Sequence, residues 1–164
     1  MKFQKKEKHF WRSNFNIGSP SAIPLEMSGF KSIDSEVDDQ FLMYLTSRIP
    51  KIHSIYLKFT NVTNEGVKYI STVHNLEELT LREHNGITKE CLPYINKLTD
   101  LKYLDILKTK ISLEDLSALS NLQNLKELYI SSENTEKEYV LEHIISMKEL
   151  LPSCVIFVNY VSYE

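Results

Sequence analysis

Between residues 101 and 111 the chain reads LKYLDILKTKI, with apolar side chains at Leu101, Leu104, Ile106 and Ile111. Steps of three and two match neither a helical period of 3.6 nor a strand period of 2. The same spacing recurs at Ile52, Ile55 and Leu57, at Leu76, Leu79 and Leu81, and at Leu125, Leu128 and Ile130. The four starts, 52, 76, 101 and 125, lie 24, 25 and 24 residues apart. A second apolar set follows the first three copies at helical spacing: Val67, Ile70 and Val73, then Leu92, Ile95 and Leu98, then Leu116, Leu119 and Leu122. Each unit therefore predicts a short strand followed by a helix. One such unit cannot bury its apolar side alone, so neighbouring units must stack.

The pattern loosens toward both ends. Ala22, Leu25 and Met27 predict a degenerate first strand, and residues 38–49 predict its helix, with Leu42, Leu45 and Ile49 turned inward. Residues 136–151 predict a longer helix and residues 155–161, VIFVNYV, a last strand that would be the outermost of a parallel sheet. Six parallel strands follow from this count. Residues 1–21 lie outside the pattern as an amino-terminal cap or arm, and 22–164 form the repeat domain, with clear units at 52–75, 76–100, 101–124 and 125–154. Phe3, Phe10, Trp11 and Phe15 read as a capping strand or hairpin over the first unit. A basic arm that contacts a partner is the other reading of this segment.

The L-x-x-L-x-L strand segments at 52–57, 76–81, 101–106 and 125–130 resemble the leucine-rich repeat family. LKFTNVTNEGVKYI at 57–70 is similar to its ribonuclease-inhibitor-like or cysteine-containing subclass, with Thr60 and Thr109 at the turn position. The second unit departs from that form at His84, Asn85 and Gly86, which read as a one-residue insertion. Cys91 aligns with Gly66 on the helix, where small residues pack against the next unit. The resemblance implies an α/β solenoid: a curved parallel sheet of about six strands with helices on the convex side. It also implies a protein-binding role, since small cytoplasmic members occur among bacterial immunity proteins.

Composition narrows the chemistry. Hydrophobic residues make up 42% and charged residues 25%, as in ordinary globular domains. The net charge of −3 conceals a basic start, in which Lys2, Lys5, Lys6, Lys8 and Arg12 oppose Glu7 alone over residues 1–20. Five cations with no basic surface after them are a weak nucleic-acid signal, so no nucleic-acid partner is expected. No apolar run approaches the length of a membrane span, and charges follow Met1 where a signal peptide would be apolar. A cytoplasmic location and no membrane partner are the corresponding expectations. Two cysteines, Cys91 and Cys154, make neither a disulfide framework nor a metal site. The five histidines are scattered, and four glycines do not build a phosphate-cradling loop. His84 and Cys91 fall on a turn and a helix, which reads as packing and not as a nucleophile pair. No catalytic residue, metal or cofactor is expected.

What remains is surface. In the repeated strand the apolar positions point inward, and the residues between them line the opposite face in columns about 4.8 Å apart. Those columns hold Ser54, Glu78, Tyr103 and Glu127, with Phe157 in the last strand, then Tyr56, Thr80, Asp105 and Tyr129, then Lys58, Arg82 and Leu107. Tyr and Arg favour interface anchors because they join large contact area to hydrogen-bonding ends. Tyr56, Lys58, Glu78, Arg82, Tyr103, Asp105, Glu127 and Tyr129 are therefore the candidate partner-binding residues. The central acids favour a partner protein with a basic patch, a toxin being the candidate. The expected function is a small inhibitor that neutralises its partner through the concave face. The alternative is a substrate-recognition or scaffold subunit of a larger complex. A homodimer joined through the C-terminal edge strand is a further expectation.

Overall fold

The computed structural model describes residues 3–164. The elements, in chain order, begin with helix α1 (Lys5–Phe15), strand β1 (Glu26–Met27), strand β2 (Phe30–Ile33) and helix α2 (Asp39–Thr46). Strands β3 (Lys51–Ile52) and β4 (Ser54–Lys58), helix α3 (Asn64–Ile70) and strand β5 (Glu78–Arg82) follow. Then come helix α4 (Leu92–Ile95) and strands β6 (Tyr103–Asp105) and β7 (Glu127–Ile130), with a 3-10 helix over Leu113–Leu119 between the two strands. Helix α5 (Lys137–Leu150) and strands β8 (Val155–Val158) and β9 (Val161–Tyr163) complete the chain. The main sheet has seven strands in the order β2-β4-β5-β6-β7-β8-β9, and β1 pairs separately with β3.

The repeated spacing survives as strand register. Phe30, Ile55, Leu79, Leu104, Leu128 and Ile156 stand opposite one another across six parallel strands. From Ile55 to Ile156 these residues are at most 1% exposed, and each helical set read from the sequence is buried behind them. The helices line up in chain order along that face, α1 on α2, α2 on α3 and α3 on α4. Asp38 caps α2 by accepting from the Phe41 N–H at 2.8 Å, and Thr63 caps α3 by accepting from the Glu65 N–H at 3.3 Å. Gly66 of α3 faces Asp39 and Leu42 of α2. A Cβ there would stand 2.5 Å from Asp39 Oδ1 and 2.7 Å from Val62 Cγ1.

Several expectations need correcting. The fold is α/β, but a leucine-rich repeat solenoid with about six parallel strands is not what the chain forms. The sheet is an open, mostly parallel but mixed sheet of seven strands, because β9 turns back to run antiparallel to β8. The helical connections are also unequal, from the four residues of α4 to the fourteen of α5. The first main-sheet strand is Phe30–Ile33, and the expected one at 22–27 contributes only the two residues of β1. The amino-terminal cap is a helix, neither strand nor hairpin. Its Phe10 and Trp11 are buried, and the Phe10 ring packs edge-on to Phe41 at 4.8 Å. Helix is the better solution because Phe10, Trp11 and Phe15 then gather on one side against α2.

Left-handed residues close the strands. Asp34, Phe59, Glu83 and Lys108 have φ of 49°, 52°, 62° and 55°, and each follows a strand by one to three positions. The Phe59 N–H donates to the Arg82 carbonyl at 3.1 Å and the Glu83 N–H to the Leu107 carbonyl at 3.0 Å. Each turn is thus fastened to the next strand while the chain swings toward its helix.

Candidate functional site

On the face opposite the helices, alternate residues of every strand form the columns that the sequence spacing requires. Glu78, Tyr103, Glu127 and Val155 make one, starting from Ser54. Lys31, Tyr56, Thr80, Asp105, Tyr129, Phe157 and Ser162 make the next. Ile33, Lys58 and Arg82 begin the third. All eight candidate binding residues therefore share this face, two on each of β4, β5, β6 and β7. In the last parallel strand the expected assignment was two residues out. Val155 holds the place expected for Phe157, and Phe157 extends the Tyr129 column, because α5 lengthens that unit.

Asp105 differs most from expectation. A carboxylate on an open face ought to be solvated, yet Asp105 is 1% exposed. The Arg82 guanidinium accounts for this, since Nε donates to Asp105 Oδ2 at 2.9 Å and Nη2 donates to the same oxygen. The other oxygen accepts the Leu107 N–H at 3.0 Å, and the Tyr103 hydroxyl stands 3.5 Å from Oδ2. Burial pulls the Arg82 pKa down, but the hydrogen bond and charge of Asp105 outweigh it and hold the value above normal. Burial, and then the Asp105 charge, pushes the Tyr103 phenol well above its usual range. Leu107, expected to be exposed on this face, is also buried at 1%.

Aromatic rings cover the half of the face toward the C-terminus. Tyr103 and Tyr129 lie 5.3 Å apart, and Tyr129 stacks parallel on Phe157 at 4.2 Å. Tyr129 donates to Glu127 Oε2 at 2.9 Å. Burial and that bond together push the Tyr129 phenol up to about 12. Tyr160, in the turn after β8, lies 6.0 Å from the Arg82 guanidinium carbon and is 62% exposed. Its φ of 69°, next to Asn159 at 49°, belongs to the left-handed region where asparagine is at ease and tyrosine is not.

Charge divides the face. Glu78 accepts only from Ser54 Oγ at 3.1 Å and Glu127 only from Tyr129, so among the described residues neither carboxylate has a cationic partner. Beyond the strand ends Glu83 serves both Lys108 at 3.1 Å and Lys58 at 3.8 Å, which holds its carboxyl below the usual range. Lys31 lies over the Tyr56 ring at 4.9 Å. Sequence reasoning missed Lys31, Phe59 and Tyr160. The first pairs through a strand it had misplaced, and the other two sit on turns that carry no apolar period.

A groove of about 780 Å³ runs past the carboxyl ends of β6 and β7, walled by residues 108–114 and 131–134 with Tyr139. No histidine or cysteine lines it. His84 is buried, accepts at Nε2 from the Thr60 N–H at 3.2 Å, and is held below its ordinary pKa by that burial. It ties the turn after β5 to the turn after β4. Cys91 and Cys154 are free and buried, and burial pushes their thiols up to about 12 and about 11. Both therefore stay protonated at neutral pH and are poor nucleophiles. Among the described residues no group of three or more His, Cys, Asp or Glu side chains could hold a metal ion. No helix of the described residues is long and apolar enough to cross a membrane.

No family model matches the chain, and no curated protein matches it.

Proposed function

We propose that the protein is a non-catalytic, cytoplasmic binding module that inhibits a partner protein, such as a toxin, by masking it with the open face of the sheet. One observation carries this reading. The stack of Tyr103, Tyr129 and Phe157 lies on a face without helices, beside two carboxylates that lack cations. Flat aromatic surface provides contact area at little entropic cost, and desolvated aromatic anchors dominate binding energies. Unpaired Glu78 and Glu127 select for a basic patch on the partner through encounter rate and specificity. The Arg82–Asp105 pair holds the centre of this surface rigid between the two parts.

Affinity capture from the native cells, with the wild type and a Tyr129→Ala/Phe157→Ala variant side by side, tests the reading. The wild type should retain a basic partner that the equally folded variant loses. Equal retention by both would move binding away from this face.

A further inference from the structure

We propose that two copies of this chain pair antiparallel along β9, with their α5 helices crossing at Ile145. The edge of β8, expected from the sequence to be the outermost strand, is already occupied by β9, so the free edge at this end of the sheet is β9 itself. Two of the large hydrophobic residues left exposed lie on these elements: Val161 at 57% on β9 and Ile145 at 61% on α5. A groove of about 490 Å³ joins the strand to the helix, with Ile145, Leu141 and Tyr163 among its walls. Residues 155–163 carry no charge, proline or glycine. Charge and proline are two of the usual protections of a sheet edge, and β9 lacks both, relying on its length of only three residues.

Charge identifies a second copy as the occupant. Glu142 and Lys148 stand three residues to either side of Ile145, and all three lie along one side of α5. When two such helices meet antiparallel at Ile145, each Glu142 faces the Lys148 of the other copy. The patch is therefore complementary to itself, as a two-fold interface requires. Lys148 spends one donor on the Cys154 carbonyl at 2.8 Å and keeps two for a partner. On the strand side, antiparallel pairing of an uncharged segment with itself sets no like charges opposite each other. The pairing would continue one sheet through two copies and place two open faces side by side. It does not depend on what those faces bind.

Sedimentation equilibrium across micromolar to millimolar concentrations tests the proposal. The wild type should show twice the mass of the chain at the upper end. Ile145→Glu and Val161→Lys change exposed positions only, and each should return the mass to that of one chain with unchanged circular dichroism. Glu142→Lys should do the same by placing lysine against lysine, and the double exchange Glu142→Lys/Lys148→Glu should restore the dimer. A wild type that stays monomeric throughout overturns the proposal, as does a dimer that survives both Ile145→Glu and Val161→Lys. A folded double exchange that remains monomeric overturns the antiparallel crossing.

Discussion

On the helix-covered face, the column Ile55, Leu79, Leu104, Leu128 and Ile156 is closed off by apolar contact with the next layer. One residue further along each strand, on the open face, the column is Tyr56, Thr80, Asp105, Tyr129 and Phe157. At β6 both columns are dry, since Leu104 is 0% and Asp105 1% exposed. The reasons are opposite. Leu104 is buried because leaving water stabilises it, whereas Asp105 is buried because Arg82, the Leu107 amide and Tyr103 replace the water it loses. The covered face therefore tolerates only apolar residues of matching volume. The open face tolerates variety wherever a cross-strand partner can be found, and that freedom is what a binding surface uses.

The strongest challenge to this contrast is Leu104→Ala. Removing a fully buried side chain from between two sheet neighbours should cost about 2–5 kcal/mol by denaturant unfolding. A cost near that of a surface substitution would mean the column is not the core. Next comes Asp105→Ala. The sequence placed Asp105 on the exposed face, but the variant leaves the Leu107 N–H and a half-buried Arg82 without their acceptor. It should cost about 1–3 kcal/mol. A neutral result would show that the pair is decorative and that the open face has no fixed centre. The smallest effect runs in the other direction. Tyr160→Gly relieves a left-handed tyrosine and should raise stability by about 0.5–1 kcal/mol while weakening partner capture. A loss of stability would make Tyr160 part of the fold and not a side chain held in place for contact.

The four central strands were legible because a parallel sheet with helical returns repeats the same environment. Leucine and isoleucine at 24- or 25-residue spacing thus mark β4 to β7 directly. The first strand carried a signal that was misread. Phe30 lies 25 residues before Ile55 and fits the same column, and Met27 stands three residues before it opposite Ile52, but Ser32 takes the third apolar position, and the weaker set at 22–27 drew the assignment. The last strand slipped by two because the fourteen-residue α5 lengthens its unit. The burial of Asp105 was hidden for a different reason. It depends on Arg82 of the adjacent strand, two positions beyond its own cross-strand partner Thr80, and diagonal pairs of that kind leave no periodic trace. The reversal at Asn159 and Tyr160 lacks the glycine that announces a tight hairpin. That absence made VIFVNYV read as one uninterrupted strand.

Hydroxyl-radical labelling of the captured complex against the free protein tests the open-face account most directly. Tyr103, Tyr129, Phe157 and Tyr160 should lose reactivity on binding, while Tyr69 on α3 and Tyr94 on α4 keep theirs. Protection of Tyr69 and Tyr94 with Tyr129 and Phe157 unchanged would place the partner on the helices and contradict it.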